Sequence, residues 1–392
     1  VGKPSCGKST FFKAATLADV LIAPYPFATI KPNHGMGYVR VDCIDKELKT
    51  QCMPRTGYCI NHLRFVPVEL MDVAGLVEGA SEGKGLGNQF LDDLRQADVF
   101  IHIVDISGTT DAGGKELPQG GHDPLQDVKM LENELDLWYT GIFMKVWEKM
   151  AKTVQTTKQN LAKALEKQFS GLKVTEDDIK ESIIKLKLDP EQPLSWTSQQ
   201  IRQFTNLLRH KTKPMVIAAN KIDKPQAKAN IERLKEAFPH IMVIPCSADS
   251  ELSLRQAAKA GMIDYIPGSK EFKIHEDKVN EKQKHALETI KKTVLDVYGS
   301  TGVQDVLDRA VFDLLKYIAV FPAGAHKLAD SKGNILPDCF LVPPGTTALD
   351  FAFSLHTDLG NNFVKAIDAR TKQPVGKDHP LKHRDGIEII TR

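Results

Sequence analysis

Near its start the sequence contains a pattern that binds phosphate groups. Residues 2–10 match GxxxxGK[ST] in full: Gly2, Lys3, Pro4, Ser5, Cys6, Gly7, Lys8, Ser9 and Thr10. In such a loop the glycines let backbone N–H groups converge on phosphate oxygens, the lysine places its charge on the β and γ phosphates, and the serine hydroxyl is a ligand for Mg²⁺. A helix that begins at Ser9 directs the positive end of its dipole toward the same anion. These residues therefore predict a site for the phosphate groups of a nucleotide.

A second motif lies where an apolar, strand-like run ends. Asp72-Val73-Ala74-Gly75 follows the run that ends at Met71, so a DxxG sequence stands at the carboxyl end of a predicted strand. At that position Asp72 is expected to hold Mg²⁺ through a water molecule, and the N–H of Gly75 is expected to sense the γ-phosphate.

The apolar run that ends at residue 219 is followed by Asn220-Lys221-Ile222-Asp223. The carboxylate of Asp223 can accept two hydrogen bonds from the N1 and N2 edge of guanine, an edge that adenine does not offer. We expect Asn220 to orient the base edge and Lys221 to pack over the face of the base. This motif predicts selectivity for guanine.

Ser247-Ala248 follows the next apolar run, 241–246, and is expected to offer a backbone N–H to the guanine O6. The four motifs occur in one order, and each is placed at the end of a predicted strand. Ligand sites of α/β proteins lie at that edge of the sheet. Together the motifs predict a guanine-nucleotide site.

The order of the predicted elements indicates the fold class. Strand-like and helix-like runs alternate in the first 110 residues and return after 214, and helical periodicity fills the stretch between them. This order predicts an α/β fold, a mostly parallel, doubly wound sheet with an all-helical insertion, followed after residue 321 by a small α+β domain. The predicted strands are Phe65–Met71, Val99–Val104, Pro214–Ala219 and Ile241–Cys246, and the predicted helices include Gln89–Gln96, Thr157–Phe169, Glu176–Lys187, Thr197–Leu208, Gln226–Phe238, Lys282–Tyr298 and Val303–Ala319.

The chain of 392 residues has the composition of a globular protein, with 42% hydrophobic and 26% charged residues. We find no apolar run long enough to cross a bilayer and expect neither membrane binding nor secretion. The net charge of +2 is too small to bind nucleic acid by bulk charge, so such binding requires a local patch.

Six cysteines are spread along the sequence without a CxxC pair. The tightest group, Cys52, Cys59 and His62, matches no common spacing of a structural zinc site. Because a chain of this size needs no disulfide in order to fold, we interpret the cysteines as reduced thiols.

Further motifs give the sequence a family resemblance. They are Tyr25-Pro26-Phe27-Ala28-Thr29-Ile30-Lys31-Pro32-Asn33, Leu76-Val77-Glu78-Gly79-Ala80, Gly83-Lys84-Gly85-Leu86-Gly87-Asn88, Val342-Pro343-Pro344-Gly345-Thr346-Thr347-Ala348-Leu349-Asp350 and His356-Thr357-Asp358-Leu359-Gly360. With the nucleotide motifs, the chain resembles the Obg-like GTPases of the translation-factor class, specifically the archaeal YchF-type branch, over nearly all of its length. The last two segments resemble a TGS domain.

The resemblance implies a switch that responds to the γ-phosphate. In this family the threonine that matches Thr29 closes on Mg²⁺ and the γ-phosphate, which orders the GTP state and loosens the GDP state. Thr29 thus joins Ser9 and Asp72 as a metal ligand, and Lys8, Thr29 and Gly75 are the implied catalytic residues.

The resemblance also bears on the rate of hydrolysis. Leu76 stands where many GTPases have a glutamine that orients water, so we expect slow intrinsic hydrolysis. Relatives with an apolar residue there often use K⁺, held by an asparagine of the phosphate loop. This chain has Ser5 at that place, which leaves K⁺ as an open cofactor.

The implied domains are a P-loop NTPase G domain at 1–123 and 211–268, a helical insertion at 124–210, a helical connector at 269–320 and a β-grasp-like TGS domain at 321–392. The resemblance implies a cytoplasmic, GTP-hydrolysing molecular switch that acts with the ribosome or structured RNA through its helical and TGS domains. We expect a monomer that binds neither membranes nor specific DNA sequences.

Two other functions use the same phosphate loop. A P-loop ATPase or metabolic phosphotransferase would be indifferent to guanine, which Asp223 disfavours. A protein-interaction scaffold with negligible turnover is compatible with Leu76. Both alternatives stay open at the level of the sequence.

Overall fold

The computed structural model of the chain describes residues 1–16, 34–73, 95–118, 120–325, 328–330 and 332–392. The chain divides into two compact units, Val1–Lys8 with Met71–Pro245 and Ser9–Leu70 with Cys246–Arg392. Within the described ranges, every helix is either too short or too polar to cross a membrane.

The described strands, in chain order, are β1 (His34–Asp42), β2 (Tyr58–Ile60), β3 (Leu63–Met71), β4 (Phe100–Asp105), β5 (Met215–Asn220), β6 (Met242–Cys246), β7 (Ile263–Tyr265), β8 (Phe272–Ile274), β9 (Ile318–Pro322), β10 (Phe340–Val342), β11 (Phe363–Asp368), β12 (Pro374–Val375) and β13 (Asp385–Thr391). The described α-helices of five residues or more are α1 (Lys8–Thr16), α2 (Pro124–Thr157), α3 (Leu161–Gln168), α4 (Glu176–Leu186), α5 (Ser198–Thr212), α6 (Ala227–Ala237), α7 (Ala248–Lys259), α8 (Glu281–Ile290), α9 (Val303–Arg309), α10 (Ala348–Leu355) and α11 (Thr357–Asn361).

A sheet of order β4-β5-β6 forms the centre of the first unit. β4 and β5 are parallel, with Asp105 opposite Asn220 at their carboxyl ends. All six residues of β5 are buried, as expected for a strand covered on both faces. The predicted α/β class is confirmed, and the pairing brings the polar residues that end the two strands to one edge.

The long helix α2 begins and ends at clear signals. Asp123 caps its start by accepting from the N–H of Leu125, and Lys158 ends it in the left-handed conformation, with φ 52°. The helix predicted at 157–169 was therefore placed too early, because α3 begins only at Leu161, after the N-cap Asn160.

Aromatic rings fill the core of this helical part. Phe143 stacks on Trp147 and Phe169, with ring centroids 4.9 and 5.1 Å apart. Trp196 packs against Trp147 at 5.0 Å and against Phe204 at 5.2 Å. Contacts of this kind add to the apolar burial that holds the helices together.

The second unit contains a sheet of order β1-β3-β2 and a five-stranded sheet of order β10-β9-β13-β11-β12. β9 and β13 are parallel, and the neighbouring pairs are antiparallel. Helix α10 buries Phe351 against Val320 and Ile387 of the larger sheet. This mixed sheet with one packed helix is the predicted small α+β domain.

The helix predicted at 303–319 is shorter in the structure. α9 ends at Arg309 and is followed by a π-helical turn, Ala310–Leu314. Lys316 then takes a positive φ of 56°, and β9 begins at Ile318. The apolar period alone did not separate the helix from the strand that follows it.

Polar contacts attach the five-stranded domain to the segment around β1 and β3. Glu47 forms ion pairs with Arg370 and Arg384, and Nε of Arg384 donates to the carbonyl oxygen of Asp42 at 2.8 Å. The guanidinium of Arg64 is buried and donates to the carbonyl oxygens of residues 336 and 337 at 3.1 and 2.7 Å.

Candidate nucleotide site

The phosphate loop has a tight backbone path that requires its two glycines. A Cβ atom on Gly2 would lie 2.5 Å from the carbonyl oxygen of Ile103, and one on Gly7 would lie 2.3 Å from Nδ2 of Asn220. Both glycines have positive φ angles, 147° and 100°, and Ser5 between them has φ 60°. The loop curls as a cradle of backbone N–H groups requires.

Two lysines of the loop have different surroundings. The ammonium group of Lys8 donates to the carbonyl oxygen of Lys3 at 2.7 Å, so it lies across the loop. The side chain of Lys3 is buried, forms a 2.8 Å ion pair with Asp127 and donates to the carbonyl oxygen of Thr110 at 2.6 Å. Lys3 therefore anchors the loop through its side chain, and only its backbone remains to contact a phosphate group.

Asn220 joins the predicted base-reading motif to the phosphate loop. Its side-chain N–H donates to the carbonyl oxygen of Cys6 at 2.9 Å, and both residues are buried. Burial raises the pKa of the Cys6 thiol, so this cysteine is an unreactive part of the packing. The two motifs, more than 200 positions apart in the sequence, thus share one hydrogen bond in the first unit.

Lys221 is held by a buried carboxylate at the end of β4. It has a φ of 70°, and its Nζ lies 2.8 Å from Oδ2 of Asp105. Asp105 also accepts hydrogen bonds from the hydroxyls of Ser107, Thr109 and Thr110, at 2.5, 3.1 and 2.9 Å. Burial alone would raise the pKa of Asp105, but the hydrogen bonds from Lys221 and Ser107 lower it below its ordinary value. The carboxylate is therefore ionised and fixes the direction of the lysine stem.

Sequence reasoning missed both carboxylates that support the site, Asp105 and Asp127. A signal for Asp105 was present, because it ends an apolar strand and is followed closely by Ser107, Thr109 and Thr110. Asp127 lies in the first turn of α2. Because it is more than 100 positions from Lys3 in the sequence, no local pattern indicated the ion pair between them.

Asp223 lies in the turn after β5, where its carboxylate is 29% exposed and 3.3 Å from Nζ of Lys224. A carboxylate that reads a base must reach solvent, and Asp223 does. Asp72, the predicted magnesium ligand, is the residue directly after β3.

The other described site residues belong to the second unit. Ser9 and Thr10 lie in the first turn of α1. Ser247 precedes α7, its backbone N–H donates to the carbonyl oxygen of Thr301 at 2.8 Å, and its hydroxyl donates to Ser250. The N–H of Ser247 is thus used within the second unit, and Ala248 begins the helix.

Several predicted residues lie outside the described part of the chain. They are Thr29, Gly75 and Leu76, with the segments 25–33, 76–80 and 83–88 that carry much of the resemblance, and most of the helix predicted at 89–96.

Comparisons with known proteins identify the family. Residues 1–135 match the model of the 50S ribosome-binding GTPase family, residues 218–324 match the Obg-like GTPase YGR210-like, G4 motif-containing domain, and residues 325–391 match the TGS domain. An uncharacterized GTP-binding protein of Methanocaldococcus jannaschii is 50% identical over 392 residues, which cover 100% of this chain and 98% of that protein. The chain belongs to the Obg-like GTPases. It is a GTP-binding protein, and the alternative functions are not favoured.

Two further relatives extend the comparison of this Obg-like GTPase. The crystal structure of a GTP-binding protein from Pyrococcus horikoshii is similar with a TM-score of 0.78 and 42% identity, covering 100% of this chain and 98% of that chain. The ribosome-binding ATPase YchF of Bacillus subtilis is 30% identical over 266 residues, which cover 64% of this chain and 66% of that protein. The predicted P-loop G domain with a helical part and a TGS domain is confirmed.

Proposed function

We propose that this Obg-like GTPase hydrolyses GTP slowly and works as a two-state switch on the ribosome or on structured RNA. The observation that carries the proposal is the hydrogen bond from Asn220 to Cys6. Through it, the motif that contains Asp223 and the loop that contains Lys8 are held in one arrangement, as a site that reads base and phosphates of the same nucleotide needs.

The proposed chemistry is positioning and charge stabilisation. Lys8 binds the β and γ phosphates, Gly75 contacts the γ-phosphate, and Ser9, Thr29 and Asp72 hold Mg²⁺. Of the three proposed magnesium ligands, the structure describes Ser9 and Asp72. Both offer oxygen atoms, the ligand type that Mg²⁺ prefers. Ser247 and Ala248 are proposed to lie beside the guanine O6, although the N–H of Ser247 donates to the carbonyl oxygen of Thr301 and so does not itself bind the base. Thr10 completes the loop.

In this proposal Asp223 makes the site select GTP over ATP, although the Bacillus subtilis relative is named an ATPase. We expect slow hydrolysis because Leu76 stands where many GTPases have a glutamine that orients water. Whether K⁺ is a cofactor is tested by comparing the turnover number in potassium salts with that in sodium salts. A turnover number equal to background in both salts, with ribosomes present, would contradict the enzymatic part of the proposal.

The helical part supports an RNA contact. Its segment 145–173 contains two glutamates, Glu148 and Glu166, and seven lysines that are all exposed: Lys145, Lys149, Lys152, Lys158, Lys163, Lys167 and Lys173. This local excess of positive charge along the sequence supports the local patch that RNA binding requires in a chain of small net charge. We define these seven lysines as the lysine segment.

The proposed organisation keeps the boundaries 1–123, 124–210, 211–268, 269–320 and 321–392. The protein acts as a monomer in the cytoplasm, where the ribosome is found, and the TGS domain supplies a second contact to it.

Co-sedimentation with ribosomes and separated subunits tests the proposal at one fixed salt concentration, since RNA affinity falls steeply with salt. We expect binding with a non-hydrolysable GTP analogue and about tenfold less with GDP. Lys152→Glu with Lys158→Glu should abolish it, whereas the control pair Lys228→Glu with Lys282→Glu, also exposed, should retain it. Equal binding in both nucleotide states would contradict the switch, and full binding by the first pair would exclude the lysine segment as the RNA contact.

A further inference from the structure

Three cysteines and one aspartate meet in the second unit, away from the residues of the nucleotide motifs in the sequence. The ligand atoms of Cys43, Asp45, Cys52 and Cys59 all lie within 4.8 Å of one another. Cys43, Asp45 and Cys52 are buried, with 1%, 0% and 4% of their surface exposed. We define these four residues as the cysteine cluster.

The spacing within the cluster fits a tetrahedral metal. Two thiolates on one Zn²⁺, each about 2.3 Å from the ion, are about 3.8 Å apart when the angle between them is tetrahedral. Sγ of Cys43 and Sγ of Cys52 are 3.6 Å apart. Thiolates select zinc over the hard cations that carboxylates alone would bind.

Neighbouring groups complete the surroundings that a zinc site needs. Asp45 accepts from the backbone N–H of Cys52 at 3.0 Å and is hydrogen-bonded to Nδ1 of His62 at 2.9 Å, which orients its carboxylate. Arg64 lies within electrostatic reach of Cys52. Its positive charge offsets part of the excess negative charge of three thiolates and a carboxylate around one divalent ion.

An ion at the cysteine cluster would stabilise the segment that connects β1 with β2. Between β1 and β2 the chain runs from residue 43 to residue 57 without forming a strand. The N–H groups of Met53 and Arg55 in this segment donate to the carbonyl oxygens of residues 335 and 337, at 2.7 and 2.9 Å. An ion bound at Cys43, Cys52 and Cys59 would tie both ends of the segment to its middle and fix the surface that meets residues 335–337.

We propose that Cys43, Asp45, Cys52 and Cys59 bind one structural Zn²⁺ ion. The site is closed, with four protein ligands and His62 as the group that orients Asp45. The sequence analysis rejected Cys52 and Cys59 with His62 as a zinc site because of their spacing. The structure adds Cys43 and Asp45, which follow β1 nine and seven residues before Cys52. This inference does not depend on the proposed function.

The test is the metal content of the full chain, purified under reducing conditions and measured by inductively coupled plasma mass spectrometry. We expect about one zinc per chain in the wild type and a background level in the double variant Cys52→Ser with Cys59→Ser. Cys246→Ala and Cys339→Ala remove buried cysteines outside the cluster, so both should retain the zinc. Replacement by Co²⁺ should produce thiolate-to-cobalt charge-transfer bands in the wild type.

Two results would overturn the proposal. One is a wild-type chain without metal whose cluster thiols are all free or whose mass shows a disulfide between Cys43 and Cys52. The other is a zinc content that survives in the double variant. If the double variant does not fold, a chelator added to the wild type decides the question: removal of zinc should lower the melting temperature by about 5 °C or more, and an unchanged melting curve contradicts a structural ion.

Discussion

The polar contacts around the phosphate loop and those that attach the TGS domain differ in their exposure to water. Around the loop, the side chains of Lys3, Asp127 and Asp105 are between 0% and 4% exposed. At the TGS attachment, Glu47 is 39% exposed and its partners Arg370 and Arg384 are 28% and 29% exposed.

This difference in exposure indicates which polar contacts stabilise the fold most. When a buried polar group loses its partner, water does not replace it, and the cost is the full desolvation of that group. An exposed ion pair exchanges its partner for water at little cost. Arg64, at 1% exposure, is the exception at the TGS attachment. We therefore expect the nucleotide site to be intolerant of substitution and the TGS attachment to depend mainly on one arginine.

The largest effect is expected for Lys8→Ala. The substitution removes the charge that lies across the phosphate loop, so GTP affinity should fall about 100-fold or more, which corresponds to about 2.7 kcal/mol. Isothermal titration calorimetry with GTP checks this. Lys13→Ala, an exposed lysine of the same helix, is the control, and wild-type affinity in the Lys8 variant would contradict the assignment of the loop.

Asp223→Asn should change which base is bound. An amide cannot accept both hydrogen bonds of the guanine edge, but its N–H₂ group can donate to the 2-oxo group of xanthine. We expect GTP affinity to fall about 30-fold and XTP affinity to rise, in competition against a fluorescent nucleotide. Asp249→Asn is a matched control at another acidic residue that follows a nucleotide motif. Unchanged selectivity in the Asp223 variant would show that another group reads the base.

Arg64→Met tests whether the buried arginine stabilises the TGS attachment more than the exposed ion pairs do. The methionine fills part of the space but leaves the carbonyl oxygen of residue 336 without its guanidinium donor and that of residue 337 with only the N–H of Arg55, so unfolding should become easier by about 2 kcal/mol. Arg55→Gln, which removes an exposed pair with Asp338, should cost less than about 1 kcal/mol. Equal losses in urea denaturation of both variants would refute the distinction between buried and exposed contacts.

Lys213 adds a dependence on pH to the first unit. It is buried and donates to the carbonyl oxygens of Arg95 and Ala97, and burial lowers its pKa to about 8. In the unfolded chain the pKa is about 10.4, so between these values the unfolded state binds more protons and stability rises with pH. From pH 8 to pH 10 we expect a gain of about 2 kcal/mol relative to Lys213→Met, measured by denaturant unfolding. Parallel curves for the two proteins would contradict it.

Glu47→Gln should have the smallest effect. It breaks both exposed pairs of Glu47, yet water replaces the lost partners, so we expect a loss below about 1 kcal/mol that vanishes in 1 M salt. Unfolding at low and high salt measures it. A loss as large as that of Arg64→Met would mean that the exposed pairs hold the TGS domain.

The sequence predicted most of what depends on local pattern. The strands 214–219 and 241–246, the helices at 176–187 and 226–238 and the α/β class follow from apolar periodicity, and the structure confirms them. The start of α3 and the end of α9 were misplaced because Lys158 and Lys316 adopt positive φ angles that their residue type does not indicate.

Contacts between distant residues were beyond the sequence. The hydrogen bond from Asn220 to Cys6 and the ion pair of Lys3 with Asp127 each join residues more than 100 positions apart. The sequence pattern identified Asn220 as part of a motif, but it did not indicate that Cys6 is its hydrogen-bond partner. The cysteine cluster was rejected for a different reason, because its spacing matches no common zinc motif and its ligands converge only once β1 and β2 are in place.

Strand β1 has a mechanical consequence. It begins at His34, the residue after the last position of the predicted first switch motif, and it ends at Asp42, whose carbonyl oxygen binds Arg384 of the TGS domain. Nine residues at about 3.3 Å each make a rod of about 30 Å. Because β1 contains no loop between residue 34 and residue 42, a displacement at its start would be carried along the strand rather than absorbed in a turn. The strand therefore gives the predicted switch segment a direct covalent connection, nine residues long, to the residue that binds Arg384.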